Sequence, residues 1–406
     1  MNLATKHIIV LIISLHSVVF IQGQLMPEEN YLKAKVFMNK EMHDSALLYL
    51  NKSLEINKEN REAILDKGIV VFNKGQYKKA LEEFATIEKS DKGRATIWMA
   101  KSYARLNDID NCLVSLNLHL TSNYKLPEST ILLEKDFAIF EQDPKWIKFW
   151  KEGNYYTAHD RSLAEADYMI KTKRYTEAIN FLSEALTKGY RKAPLYSRRA
   201  QVYSDLNNHK LALSDLNNAI TSDRRNPDLF SNRARMNYLL GNYQQSLEDY
   251  NNAIKISPSN ISLYKERALS NSKTGLYDEA INDIDLYLRL FPVDDSAWYL
   301  KGIIHSDNEN YMDALGCFTK SLSLNSSDPR YYSGRGLAYL NARTYKYAWR
   351  DFSMSLDLDP KNPVVYLNKG IAAINLGDKA DACYCFEMAK KLGNSKANFY
   401  IEKYCK

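Results

Sequence analysis

Side chains that form strong ion pairs recur in this sequence at a fixed spacing. Six equivalent positions, 34 residues apart, carry Arg or Lys, and sixteen residues after each stands Asp or Cys. The pairs of Arg with Asp are Arg199 and Asp215, Arg233 and Asp249, Arg267 and Asp283, and Arg335 and Asp351. Where the cation is Lys301 or Lys369, the partner is Cys317 or Cys385. This covariation predicts structural bidentate Arg–carboxylate bonds between helices. A basic ladder for an acidic ligand is the alternative.

Signatures of catalysis and of metal binding are missing from the sequence. The histidines after the first two dozen residues are scattered and form no HExxH motif: His43, His119, His159, His209 and His305. There is no phosphate-binding loop, no GxSxG motif and no CxxC pair. We therefore predict that the chain is not an enzyme and has no cofactor or metal. An enzyme with an unrecognised site is the remote alternative.

The first 23 residues have the pattern of a secretory signal. Lys6 precedes an apolar run from Ile8 to Ile21, and Gly23 offers a small residue before a cut. We expect residues 1–23 to be removed and the mature chain to be periplasmic or secreted. An uncleaved anchor is the alternative. No later segment is apolar enough to span a bilayer, so we expect no membrane insertion after cleavage.

Export permits disulfide bonds, and the chain has five cysteines. An odd count leaves at least one thiol free or paired between chains. Cys405 lies near the end of the sequence, and Cys383 and Cys385 lie on the preceding predicted helix. A bridge from one of these two to Cys405, with Cys383 as the candidate, would hold the last helix in place.

The composition is typical of a soluble protein and does not favour nucleic acid as a partner. Of the 406 residues, 45% are hydrophobic and 26% charged, and the formal net charge is +6. The charges are mixed along the chain without a block of one sign. Such mixing is typical of solvated helix faces.

Small residues recur with a period of 34 and indicate close helix crossings. The series in the second helix of each unit is Ala178, Ala212, Ser246, Ala280, Ala314, Ala348 and Ala382. Another small residue lies twelve positions before each of them, and a large apolar or aromatic residue lies four positions after. Two antiparallel helices approach closely only where side chains are small, and each pair leaves an apolar face for the next pair to cover.

The segments "LFSNRARMNYLLGNYQQSLEDYNNAIKISPSN" and "YYSGRGLAYLNARTYKYAWRDFSMSLDLDPKN" resemble the tetratricopeptide repeat family. The resemblance covers nearly all of the mature chain as about ten repeats, and the overall character is similar to exported bacterial members. It implies an all-α solenoid, a right-handed superhelix in two blocks with a bend between them. The expected domains are a signal peptide at 1–23, three repeats at 24–121, an aromatic-rich junction at 122–158, seven repeats at 159–394 and a capping helix at 395–406.

Two interpretations of the junction stay open. Its segment "KDFAIFEQDPKWIKFW" is dense in aromatic residues and out of register with the repeats. It is either a degenerate helical pair that joins the two blocks or an exposed aromatic docking surface.

The resemblance also implies a concave groove lined by positions 2, 5, 9 and 12 of each first helix. In the last three repeats these positions form an apolar strip: Tyr299, Ile303, Leu337, Leu340, Val364, Leu367, Ile371 and Ile374. An exposed apolar strip usually marks a partner site. Burial of the strip against the chain itself or its cap is the alternative.

The function implied is a non-catalytic scaffold that binds another protein, or a peptide segment of one, in this groove. The alternative is a constitutive adaptor subunit of a cell-envelope assembly or secretion machine.

Overall fold

A computed structural model describes residues 29–189 and 191–406, and these residues form α-helices, one 3-10 helix and short turns. The predicted signal peptide lies outside the described residues. The helices stack in antiparallel pairs, which confirms the expected all-α solenoid. The chain divides into two compact units, and the boundary falls between Arg224 and Arg225. The handedness and the bend at residues 122–158 stay predictions.

Unit 1 contains twelve α-helices and the 3-10 helix within its described residues. Their bounds are α1 (29–39), α2 (His43–Ile56), α3 (Arg61–Asn73), α4 (Tyr77–Ser90), α5 (Thr96–Arg105), α6 (Ile109–Leu120), α7 (Glu128–Leu132), the 3-10 helix (Lys135–Phe140), α8 (Pro144–Glu152), α9 (Ala158–Lys171), α10 (Tyr175–Ala185), α11 (Lys192–Asp205) and α12 (His209–Ser222).

Unit 2 contains five helix pairs and one further helix. The first helices of the pairs are α13 (Pro227–Leu239), α15 (Ser262–Lys273), α17 (Asp295–Asp307), α19 (Pro329–Asn341) and α21 (Pro363–Asn375). The second helices are α14 (Tyr243–Ile256), α16 (Tyr277–Leu290), α18 (Tyr311–Leu324), α20 (Tyr345–Leu358) and α22 (Lys379–Lys391), and α23 (Ala397–Tyr404) follows the last pair.

Prolines and capping side chains set the starts of several first helices. Pro329 and Pro363 occupy the first turn, where a missing N–H costs nothing. The preceding residue, Asp328 or Asn362, accepts a backbone hydrogen bond from that turn. The chain therefore marks the start of each of these repeats with two adjacent residues.

The turn inside each pair needs one residue in the left-handed region. Gly275 fills this position with a φ of 81°. At the equivalent position two repeats later stands Arg343, with a φ of 57°. Only glycine reaches this region without a steric cost, so Arg343 is strained where Gly275 is not.

The small and large residues of the repeat meet at the helix crossings. Gly336 on α19 faces Phe352 on α20, and a Cβ atom built on Gly336 would lie 2.9 Å from the ring. Phe318, Phe352 and Phe386 are fully buried at equivalent crossings. The 34-residue register therefore encodes close helix contacts.

The helix α23 packs against α22 after the last repeat. Tyr400 stacks on Phe386 with ring centroids 5.1 Å apart, whereas Phe399 is exposed. Cys383 and Cys405 form a disulfide bond. The bond joins α22 to the residue that directly follows α23, so the end of the solenoid is tied covalently.

Candidate partner-binding face

The four Arg–Asp pairs lie inside their repeats as bidentate bonds. Arg199 Nε and Nη2 each lie 2.7 Å from a carboxylate oxygen of Asp215, and the pairs at Arg233, Arg267 and Arg335 have the same geometry. All four Asp side chains are buried. The guanidinium donors thus serve the fold and do not form a free ladder for a ligand.

Several of these arginines also reach the preceding repeat. Arg199 Nη1 donates to Ser183, Arg267 Nη1 to Asn251 and Arg335 Nη1 to Thr319. Each acceptor lies sixteen residues before its arginine, on the previous second helix or next to it. One side chain therefore connects two consecutive repeats.

The two lysines at this position do not pair with the cysteines. Lys301 Nζ lies 2.7 Å from Asp285, which stands where other repeats carry Ser183, Asn251 or Thr319. Burial raises the pKa of the Cys317 thiol to about 11. Because this thiol is neutral, the lysine takes the carboxylate of the previous repeat. Asp285 lies sixteen residues before Lys301, whereas the Asp of the other pairs lies sixteen residues after its arginine.

The second lysine, Lys369, also has no partner in its cysteine, but its nearest carboxylate is Asp381 of the same repeat. Lys369 Nζ lies 3.8 Å from Asp381 and 4.7 Å from the centre of the Trp349 ring. Burial raises the pKa of the Cys385 thiol to about 12, so it offers no negative charge.

Sequence reasoning missed an equivalent pair and a supporting contact. Lys67 and Glu83 form an ion pair at 2.8 Å in unit 1 with the same sixteen-residue spacing. Asn237 and Asn271 donate to Asp249 and Asp283. The spacing alone, applied with Lys and Glu allowed, would have found the first of these.

In unit 2 the successive first helices form a common surface, which we call the first-helix face. Contacts join α15 to α17, α17 to α19, and α19 to α21. Arg235 on α13 donates to Glu266 on α15 at 3.0 Å. Lys273 on α15 bonds Asp307 on α17 at 2.8 Å. The early part of this face is therefore a ladder of paired charges.

Asp294 completes the ladder at the start of α17. It accepts bonds from Lys265 Nζ at 2.9 Å and from the Tyr287 hydroxyl at 2.7 Å. Burial alone raises the pKa of Asp294, but bonds from Ser296, Lys265, Tyr287 and the Ala297 N–H outweigh burial and lower the pKa to about 2. The carboxylate is charged at neutral pH and holds Lys265 in place.

Between α19 and α21, the positions equivalent to those of the ladder are uncharged. Leu337 and Asn368 stand where the earlier repeats have Arg235 and Glu266. Ser333 and Val364 replace Lys265 and Ser296, and Asn341 and Asn375 replace Lys273 and Asp307. At equivalent repeat positions, the first-helix face therefore carries paired charges between α13 and α17 and mainly apolar and amide side chains between α19 and α21.

Leu337 and Val364 are the exposed members of the predicted strip. Leu337 is 40% exposed and Val364 is 56% exposed. The other half-exposed residues belong partly to the core between repeats: Tyr299, Ile303, Leu340, Ile371 and Ile374. The exposed pair on α19 and α21, which we call the apolar patch, is the surface available to a partner.

The prediction that Leu367 lines the groove is wrong in this structure. Leu367 is 6% exposed and belongs to the same core cluster as Phe386 and Ala397. Ile371 and Ile374 pack against that cluster, together with Tyr400 and Ile401 of α23. The cap therefore covers part of the strip, as one of the sequence alternatives proposed.

In the junction of unit 1, most aromatic residues are core. Phe137, Phe140 and Trp146 are buried in a cluster with Leu116 of α6, which favours a degenerate helical pair. Phe149 and Tyr155 are half-buried, and they line an open cleft of about 390 Å³ together with Leu113 and Lys148. Of the aromatic docking surface that the sequence left open as an alternative, this cleft is the part that is accessible.

The neighbouring His119 is a structural residue. Its Nε2 accepts the Leu126 N–H at 3.1 Å, and Thr96 lies 3.4 Å from its Nδ1. Burial lowers the pKa of His119 to about 4, although the Gly93 carbonyl raises it. The ring is therefore neutral at pH 7 and fixes the chain after α6.

Other chemistry is limited in the described chain. Residues 29–189 and 191–406 contain no group of three His, Cys, Asp or Glu side chains able to hold a metal ion. Cys112, Cys317 and Cys385 are free and buried. No helix among these residues has the length and apolarity needed to cross a membrane.

Comparison with protein families finds repeat models along both units. A model described as TPR repeat matches residues 234–275, and models described as Tetratricopeptide repeat match 302–363, 30–60 and 193–226. A search of the curated proteins found no match.

The solved structures that this chain resembles share little sequence with it. A tetratricopeptide repeat protein from Parabacteroides merdae is 19% identical, covers 61% of this chain and 98% of its own, and has a TM-score of 0.53. Yeast Tom70 is 16% identical over 94% of this chain and 96% of its own, with a TM-score of 0.42. At such identity the first likeness shows the fold alone.

Proposed function

We propose that this chain, which is a tetratricopeptide-repeat protein, is a non-catalytic scaffold that binds a segment of a partner protein on its first-helix face. Proteins built from these repeats generally act as interaction scaffolds. The binding site we propose is the apolar patch of Leu337 and Val364, with the neighbouring half-buried residues as its floor.

The observation that carries the proposal is the change of chemistry along the first-helix face. Between α13 and α17, the cations at the repeat contacts are satisfied by Glu266, Asp294 and Asp307. Between α19 and α21, the equivalent positions leave two aliphatic side chains in water. Covering them would recover about 25 cal/mol for each Å² of apolar surface removed from water.

Position on the fold also suits binding. Leu337 lies on α19, which the buried pair Arg335–Asp351 joins to α20, and α21, which carries Val364, contacts both of these helices. A rigid support reduces the ordering cost that a partner must overcome. Two aliphatic anchors on neighbouring helices suit an extended or helical segment with two or three apolar side chains.

The location in this proposal is the periplasm or the outside of the cell. Its support is the signal pattern at residues 1–23 and the presence of the Cys383–Cys405 disulfide, a bond that persists in oxidising compartments. Cell fractionation followed by N-terminal sequencing tests it. We expect the exported form to begin at Gln24, and an intact Met1 in the cytosol would contradict it.

Affinity capture from an envelope extract tests the binding site. The variant is Leu337→Asp with Val364→Asp, and both positions are exposed enough to accept a carboxylate. The matched control is Met312→Asp with Tyr347→Asp, which changes two exposed residues on the second helices α18 and α20. All three proteins are first compared by circular dichroism for equal helicity.

We expect one protein to be captured by the parent and by the control, and to be lost from the patch variant. Capture by all three proteins would contradict the proposed site, and loss from the control alone would move the site to the second helices.

A further inference from the structure

Unit 2 is polarised in charge along its sequence. Residues 329–406 contain thirteen Lys and Arg against seven Asp and Glu, a formal net charge of +6. Residues 227–328 contain nine Lys and Arg against fourteen Asp and Glu, a net charge of −5. The apolar patch lies in the basic part. A partner on this patch therefore meets a positive potential.

Most cations of the basic part have no ion pair. Arg330, Arg335 and Lys369 are paired with Asp328, Asp351 and Asp381. Within the described residues, the remaining ten make no ion pair with an Asp or Glu side chain, although Lys379 Nζ lies 3.5 Å from the main-chain oxygen of Lys406: Arg343, Lys346, Arg350, Lys361, Lys379, Lys390, Lys391, Lys396, Lys403 and Lys406.

Fewer acids of this part are left to balance them. The Asp and Glu residues without a cation are Asp357, Asp359, Asp378, Glu387 and Glu402. Two of these are engaged with backbone N–H groups, because Asp359 accepts from Lys361 N and Asp378 accepts from Asp381 N. The basic part thus carries unbalanced positive charge at its surface.

Some of these cations lie next to the apolar patch. Lys361 is exposed three residues before Val364. Asn394 donates to the Pro363 carbonyl at 3.4 Å, which places the turn between α22 and α23 beside the start of α21. Lys396 is exposed in that turn. The Val364 end of the patch therefore has a basic border.

We infer that the partner segment is acidic and carries at least two aliphatic side chains. This inference rests on the proposed function and gives the partner's chemistry. The aliphatic groups cover Leu337 and Val364, while Asp and Glu residues of the segment face Lys361 and Lys396. In the acidic part, by contrast, the first-helix face already pairs its own charges. A basic segment would be repelled from the patch and is excluded by the same potential.

Fluorescence anisotropy with three labelled pools of 12-residue peptides tests the inference on the full mature chain. The first pool has two Leu among Asp, Glu, Ser and Gly. The second keeps the Leu positions and replaces the acids by Lys. The third keeps the acids and replaces Leu by Ser. We expect the first pool to bind about tenfold tighter than either of the others, with affinity falling as salt rises.

Charge-reversal variants locate the effect. Lys361→Glu with Lys396→Glu should abolish the preference for the acidic pool, whereas Lys255→Glu with Lys320→Glu, two exposed lysines of the acidic part, should leave it unchanged. Equal binding of the acidic and basic pools by the parent would overturn the inference.

The outcomes separate this inference from the proposed function. Equal binding of the acidic and basic pools, lost in the Leu337→Asp, Val364→Asp variant, would leave the patch as the site and refute only the charge. Binding that this variant retains would refute the patch itself. Salt-sensitive self-association in sedimentation velocity would show that the acidic part of a second copy takes the basic surface, and would also overturn the inference.

Discussion

Arg267 donates two hydrogen bonds to Asp283, from Nε at 2.8 Å and from Nη2 at 2.7 Å, and a third from Nη1 to Asn251. One side chain thereby joins α15 to its partner α16 and to α14 of the preceding repeat. Because Asp283 is buried, its charge depends on this contact for compensation.

A double-mutant cycle measures that dependence. We expect Arg267→Ala and Asp283→Ala each to lower the free energy of unfolding by about 3 kcal/mol, because each leaves the other charge buried. Their coupling energy, from urea denaturation, should be about 1–3 kcal/mol. The exposed pair Arg174 and Glu177 is the control, and its coupling should be much weaker because water screens both charges. Simple additivity at Arg267 and Asp283 would show that the pair contributes no stability.

His119 predicts acid sensitivity in unit 1. Its pKa is about 4 in the folded chain and about 6.5 when unfolded. The unfolded chain therefore binds the proton first. The contribution of His119 to the free energy of unfolding is fully present above about pH 6.5. It is lost as the pH falls to about 4, a change of about 3 kcal/mol.

The change His119→Gln removes this titration and keeps a group that hydrogen-bonds. We expect the free energy of unfolding, measured by urea denaturation between pH 7 and pH 4, to depend less on pH than in the parent. An unchanged slope would mean that His119 is not the group responsible.

Arg343 is a site where the fold accepts strain. Its φ of 57° lies in the left-handed region, where the equivalent residue Gly275 has a φ of 81°. Arg343→Gly should raise the free energy of unfolding by about 0.5–1 kcal/mol, and Gly275→Ala should lower it by about 1 kcal/mol. Both are read from thermal unfolding. A loss of stability in Arg343→Gly would show that the arginine side chain contributes more than the strain costs.

The disulfide predicts a tightly held cap. Cys383 and Cys405 are 22 residues apart, and closing a loop of this size stabilises by about 3 kcal/mol. In a Cys383→Ser, Cys405→Ser variant, hydrogen exchange in α23 should accelerate by about two orders of magnitude. Cys385→Ser, which changes the neighbouring free thiol, should leave α23 protected. Unchanged exchange in the double variant would show that packing of Tyr400 on Phe386 suffices.

Sequence reasoning recovered the repeat and its register because both follow from local packing. The spacing from Gly336 to Ala348 and Phe352 predicts where a small residue faces a large one. In the structure these residues lie at one helix crossing. Arg335 and Asp351 were found in the same way, since both partners lie within one repeat. A fixed period makes such contacts readable from one chain.

The sequence pattern of a single repeat did not predict the contacts that this repeat makes with the last helix or with an acid of the previous repeat. Leu367 was predicted to be a groove residue because it occupies a position that lines the groove in the family, but Leu367 packs in one core cluster with residues of α23, which follows the last pair in place of another repeat. Lys301 looked like the partner of Cys317, but the acid it needs is Asp285 of the previous repeat. In both cases the residue that determines the contact lies outside the repeat of the residue whose role was predicted.

Site-specific photo-crosslinking shows whether a partner segment lies on the apolar patch. A benzophenone amino acid replaces Leu337 or Val364 in two proteins, and Met312 or Tyr347 in two controls, and each is irradiated in the cells that make it. We predict a covalent adduct with the same partner from positions 337 and 364 and none from 312 and 347. Adducts from positions 312 and 347 without adducts from 337 and 364 would show that the partner does not bind at the apolar patch.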